Sequence, residues 1–121
     1  MILDHVQIAG PPGCEAEARR FYGGLLELEE IEKPEPMRAS GGVWFWIDDR
    51  EIHIGVEDPF TPARKAHPGL RVQRGELDAI AERLFEAGAP VDWDDRYPGV
   101  RRFYTGDPFG NRIEILAYDG A

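Results

Sequence analysis

The side chains with the greatest chemical capacity in this sequence are its three histidines, His5, His53 and His67, and one glutamate, Glu114. Their spacing is regular: His67 follows His5 by 62 residues, and Glu114 follows His53 by 61. Imidazole nitrogens and a carboxylate oxygen form a donor set that Zn²⁺, Ni²⁺, Mn²⁺ and Fe²⁺ all accept. If the four side chains converge, a divalent metal is the cofactor they imply. The competing reading is plainer, with solvated histidines on strands and a surface carboxylate.

The elements around these residues carry the argument further. Residues 2–8 alternate as a strand does, and Pro11-Pro12-Gly13 ends it. Over residues 15–25, Ala18, Phe21, Tyr22 and Leu25 recur at helical spacing, so an amphipathic helix is expected, fraying at Gly23-Gly24. Residues 28–31 read as a short strand, and Pro34 and Pro36 mark a loop. Residues 43–47 and 51–56 then flank Asp48-Asp49-Arg50 as a hairpin. The second half repeats this order. Residues 69–72 form a short strand after His67-Pro68. Residues 76–87 form a helix with Leu77, Ile80, Ala81 and Leu84 on one face and Gly88 at its end. Residues 91–93 are a short strand, and residues 101–105 and 112–117 flank a turn from Gly106 to Asn111. Both halves therefore read strand, helix, strand, strand, strand. The expected fold class is α+β, with two βαβββ modules in one domain. Module one spans about 1–58, a linker about 59–66, and module two about 67–121.

Strand alternation sets the direction of the candidate residues. Ile52, Ile54 and Val56 take one face, and His53 takes the other. Ile113 and Ile115 oppose Glu114, Val6 and Ile8 oppose His5, and Leu70 and Val72 oppose His67. The same rule puts Trp44, Trp46, Arg71, Arg102 and Tyr104 on the faces away from the helices. Trp44 and Trp46 would suit a flat ligand. Arg71 and Arg102 could hold an anion bidentately, with Tyr104 beside Arg102. These five are the candidate substrate-binding residues. Hairpin packing and solvated strand charge are the competing readings.

Composition narrows the partners. The chain has 121 residues and a net charge of −9, which disfavours binding to nucleic acid or to an anionic membrane surface. No apolar run approaches the length of a spanning helix, and the start does not read as a secretory signal. The single cysteine, Cys14, leaves no disulfide framework. It sits at a helix entrance without a partner for nucleophilic work. A cytoplasmic location is the expectation. With 42% hydrophobic and 31% charged residues, a folded rather than a disordered chain is expected.

In these features the sequence resembles the vicinal oxygen chelate superfamily, which includes glyoxalases, bleomycin resistance proteins and dioxygenases. The resemblance spans essentially the whole chain. It rests on Leu3-Asp4-His5-Val6, on Ala18 to Tyr22 with Leu25 to Leu28, on Ile52 to Glu57, and on His67 to Val72. Its most specific part is Asp107-Pro108-Phe109-Gly110-Asn111-Arg112-Ile113-Glu114. The resemblance implies two modules whose sheets curl around a cup, with helices outside. It implies metal ligands at His5, His67 and Glu114. Where glyoxalase I relatives place a fourth ligand, Glu or Gln, this chain carries His53. His53 is then either a fourth ligand or the catalytic base. The resemblance further implies a divalent-metal-dependent lyase or isomerase acting on a small molecule with two chelating oxygens, and a homodimer. It also admits a metal-free drug-binding protein, an extradiol-type dioxygenase and a fosfomycin-resistance-type thiol transferase.

Overall fold

Alternating apolar residues along Val43–Ile47 and Arg50–Val56 fold as antiparallel strands β3 and β4, with Trp44 opposite His53. In the computed structural model, which describes residues 1–120, they belong to the first of two units. That unit runs from Met1 to Ala63, and the second begins at Arg64. The division lies inside the proline-bearing stretch 59–66.

In the first unit, β1 (His5–Gly10) pairs in parallel with β4, and β2 (Glu30–Ile31) pairs antiparallel with β3. The strand order is β1-β4-β3-β2. One face is apolar because Ile8, Val43, Phe45, Ile52 and Ile54 alternate onto it, and all five are buried. The helix expected over residues 15–25 is not uniform. A short α1 (Glu15–Ala18) widens into a π-helical stretch, Arg19–Leu25, in which Leu26 N–H reaches the Phe21 carbonyl at 2.9 Å. Both Phe21 and Tyr22 are buried there, and their rings meet edge to face at 4.9 Å. Gly23 permits the close approach, since a Cβ at that position would lie 3.4 Å from the Phe45 ring. Residues read as a plain loop around Pro34 and Pro36 form one helical turn, α2 (Glu35–Arg38). Pro36 tolerates this because a first-turn residue has no intrahelical N–H bond to lose.

In the second unit, β5 (Gly69–Arg71) pairs in parallel with β8 (Arg112–Tyr118). Strand β6 (Asp92–Asp94) pairs antiparallel with β7 (Val100–Gly106), and β7 with β8. The order β5-β8-β7-β6 matches the first unit. Helix α3 (Arg74–Glu86) buries Leu77, Ala81 and Leu84, while Ile80 is half-buried at the stripe's edge. Phe103, Ile113, Ile115 and Ala117 are buried on the sheet's apolar face, together with Leu70 and Thr105. The registers of the two units correspond as well. Gln7 lies opposite His53, and Gly69 lies opposite Glu114. Each unit is thus a βαβββ module.

Glu15 ties the start of α1 to the entrance of β3. Its Oε2 accepts the Gly42 N–H at 2.6 Å, and that bond above all holds its carboxyl below the usual range. Gly42 has φ +86°, and a Cβ there would lie 2.2 Å from the Ile54 carbonyl oxygen. Gly42→Ala is therefore expected to destabilise the protein by about 2–3 kcal/mol. Gly75, in the first turn of α3, has open space around a built Cβ and an ordinary φ. Gly75→Ala is expected to stabilise by about 0.5–1 kcal/mol. Urea unfolding of both variants checks the contrast, and equal effects would contradict it.

Candidate functional site

The apolar face of each sheet needs its helix, so the polar residues of the same strands collect on the other face. In the second unit that face centres on Glu114, in the middle of β8. Glu114 is 7% exposed. Its backbone N–H donates to the Pro68 carbonyl at 3.0 Å, which carries the parallel ladder beyond the start of β5. His67 is thereby held beside it, although it precedes the strand. His67 Nε2 lies 3.0 Å from Glu114 Oε1, while Nδ1 lies 2.9 Å from the Lys65 carbonyl.

A carbonyl can only accept, so Nδ1 carries a hydrogen. Nε2 and Oε1 then face one another across 3.0 Å with a choice. Either a second proton makes an ion pair, or a cation lies against both. Two donors bound side by side on one divalent ion at about 2.1 Å stand about 3 Å apart, so the pair fits a metal. The other oxygen of Glu114 accepts from Arg102 Nη1 at 3.2 Å.

Arg102 has its own counter-charge. Asp94, its cross-strand partner on β6, lies 3.5 Å from Arg102 Nη2. The rings of Tyr97 and Tyr104 each lie 5.3 Å from the guanidinium. Asp94 is held far below the ordinary carboxylate range, chiefly by its side-chain hydrogen bond from Arg96 and then by the Arg96 backbone N–H. Burial is the largest single influence on Arg102 and pulls against its charge, but the Glu114 hydrogen bond together with the attraction of Glu114, Tyr104 and Asp94 outweighs it and secures the cation. Tyr104 stands opposite Glu114, edge-on to His67 at 5.4 Å, with Arg112 over its ring at 3.9 Å. Arg71 stacks on Tyr118 at 4.2 Å.

In the first unit the corresponding face carries an aromatic column. His53 is buried, with Trp44 stacked on one side at 3.8 Å and His5 on the other at 4.4 Å. Its Nε2 is 2.8 Å from Glu51 Oε1, so Nδ1 is the nitrogen without a partner among the described residues. His5 is oriented the other way. Its Nδ1 meets Asp4 Oδ2 at 2.8 Å, which leaves Nε2 open. Trp46 is exposed beside Glu51.

The structure therefore brings His5 together with His53 and Trp44 in one unit. In the other it brings together His67, Glu114, Arg102 and Tyr104. Arg71 and Trp46 share the right faces, Arg71 on Tyr118 and Trp46 opposite Glu51, but among the described residues they make no hydrogen bond, ion pair or ring contact with these donors. Among the described residues, no three His, Cys, Asp or Glu side chains gather into one ready metal cluster. Sequence reasoning did not single out Glu51, Asp94, Arg112 or Tyr97. Glu51 and Arg112 had a signal, since each stands two residues before a candidate donor and so shares its face. Asp94 had none, because its partner depends on the β6–β7 register.

No family model matches the chain, and no curated protein does. Solved structures do. A Bacillus anthracis protein assigned to the glyoxalase family is 48% identical, covering 98% of this chain and 96% of that one, with a TM-score of 0.93. A variant of the fosfomycin resistance protein FosX from Listeria monocytogenes, complexed with Mn(II) and 1S,2S-dihydroxypropylphosphonic acid, is 22% identical. It covers 99% and 95% of the two chains with a TM-score of 0.81. Lactoylglutathione lyase from Agrobacterium tumefaciens is 18% identical over 96% and 92%, with a TM-score of 0.73. At such identities the last two speak for the fold alone.

The depressed Asp94 carboxyl has a pH consequence. A group whose pKa falls on folding contributes stability above its unfolded value, about 4, and loses that contribution as pH drops toward the folded value. Asp94→Asn should be less stable than the parent near pH 7, and the gap should close between about pH 4 and pH 2. Urea midpoints across that range check this, and a gap that stays constant with pH would contradict it.

Proposed function

The chain belongs to the glyoxalase family, and from that premise we propose a divalent-metal-dependent enzyme of lyase or isomerase type, acting on a small substrate with two chelating oxygens. The observation that carries the reading is the His67–Glu114 pair, 3.0 Å apart with Nδ1 of His67 already occupied. A neutral imidazole whose other nitrogen is fixed by a carbonyl is the usual form of a metal-ligating histidine. At His5 the Nδ1 contact is made by the Asp4 carboxylate instead of a carbonyl. The proposed ligands in the second unit are His67 and Glu114, and His5 is the corresponding donor of the first. A divalent ion would supply Lewis acidity, which stabilises negative charge on a substrate oxygen.

The remaining roles belong to the chain's own groups. Glu51 fixes His53 in the tautomer that leaves Nδ1 as acceptor. In this reading Nδ1 is either a further metal donor or the atom that takes a proton from carbon. Stacking between Trp44 and His5 confines the imidazole plane, so the proton path has one direction. Trp44 and Trp46 offer flat apolar surface to the substrate, and the Tyr104 hydroxyl and Arg71 offer polar contact. The working assembly we propose is a homodimer. A second reading, transfer of a thiol to an anionic substrate, is favoured by one observation: Arg71, Arg102 and Arg112 all share the face of Glu114.

The test is elemental mass spectrometry on untagged protein purified without chelator, beside Glu114→Ala. About one Zn, Ni, Mn or Fe per site is expected in the parent, with at least a tenfold loss of affinity in the variant. A parent that stays empty after exposure to all four ions would overturn the proposal.

A further inference from the structure

We propose that Arg102 is a positioning residue for Glu114: it holds Oε2, so that Oε1 alone faces His67, and Asp94 balances its charge. The inference rests on the reading of His67 and Glu114 as metal ligands. The strand pattern offers Arg102 to a substrate anion, but its guanidinium already stands between two carboxylates, 3.2 Å from Glu114 and 3.5 Å from Asp94. The side chain is 14% exposed.

Nε of Arg102 is buried without a hydrogen-bond partner among the described residues. Leaving a buried donor unpaired is costly, and a guanidinium free to choose its rotamer would turn that group to water. The Arg102 position is therefore set by what its terminal nitrogens and its flat face touch, namely the two carboxylates and the rings of Tyr97 and Tyr104. Asp94 is in turn locked by three bonds from Arg96, two from the guanidinium and one from the backbone. The sequence Arg96–Asp94–Arg102–Glu114–His67 forms a continuous chain of charge-assisted contacts ending at the Nε2–Oε1 gap.

Two effects of Arg102 on a cation at that gap oppose each other. Ordering Glu114 favours binding, and the guanidinium's own charge disfavours it. Asp94, 3.5 Å from the guanidinium, offsets part of the second effect. Orientation is then the larger effect. Hydrogen bonds that orient a ligating carboxylate from behind are typically worth about 10- to 100-fold in metal affinity. Holding Oε2 also limits Glu114 to one-oxygen coordination.

The experiment uses the full chain, stripped of metal and titrated with Co²⁺ against a chelator, with the visible spectrum recorded. Arg102→Met is expected to weaken Co²⁺ binding about tenfold or more and to change the spectrum, because Glu114 can then offer both oxygens. Arg102→Lys should recover part of the affinity but not the parent spectrum. Asp94→Asn should weaken binding while Arg102 remains, because the guanidinium charge is then unopposed. Unchanged or tighter binding in Arg102→Met, with the parent spectrum, overturns the proposal. If Arg102→Met does not fold, Arg102→Lys decides, and parent affinity and spectrum in that variant overturn it equally. Glu114→Ala separates the two levels. Parent-like Co²⁺ binding in that variant refutes the ligand reading itself, whatever Arg102 does.

Discussion

The parallel pairing of the first and last strands of each module is the constraint on which the rest depends. Parallel neighbours cannot be joined by a tight turn, so a long crossover is required, and here a helical segment and two strands intervene before the chain returns. That return places Gln7 beside His53 and Gly69 beside Glu114. It also lets the Pro68 carbonyl hold the Glu114 N–H and so bring His67 against Glu114 Oε1. Residues 47 positions apart meet because the ladder continues past the end of the strand proper. A one-residue slip would turn Glu114 into the apolar layer and expose Ile113 and Ile115. The burial of those isoleucines is therefore also what aims the carboxylate.

Much of this was legible from residue order, for a physical reason. The period of two along residues 52–56 and 112–117 is an energetic necessity in a sheet covered on one side, so the direction of His53 and Glu114 followed from their isoleucine neighbours. The stripe of α3 was legible in the same way. The π-helical stretch was not. A helical period puts Phe21 and Tyr22 on the inward face, as observed, but does not show that the turn widens around them. That depends on Phe45 and the close approach at Gly23, which are known only once β3 is in place. Helix α2 was hidden by its prolines, which read as breakers yet are tolerated in a first turn.

The site divides along the same line. Which types of donor are present, and on which face, was readable. Which nitrogen of each imidazole remains open was not, because that depends on neighbours set by loops and register. Asp4 leaves Nε2 of His5 open and Lys65 leaves Nε2 of His67 to face Glu114, whereas Glu51 takes Nε2 of His53. Three residues of one type thus acquire two chemical roles. Net charge speaks to a different scale. A chain at −9 disfavours extended polyanions, while the face around Glu114 carries Arg71, Arg102 and Arg112. Total charge governs long-range attraction, while recognition depends on the few groups within about a Debye length of the ligand.

A buried ion pair is weak support for stability, since apolar side chains of similar volume often serve as well or better. That makes the Asp94–Arg102–Glu114 arrangement informative. Its members lie on three adjacent strands, β6, β7 and β8, at positions where Val or Ile would suit the sheet. Desolvating three charges and leaving Arg102 Nε unpaired costs free energy that an apolar face would not incur. What the charges provide instead is direction. A carboxylate gripped at one oxygen cannot rotate freely, and a guanidinium gripped by a second carboxylate cannot follow it. The apolar face of this module stabilises the fold, and its polar face spends part of that stability on fixing the position of a single oxygen atom.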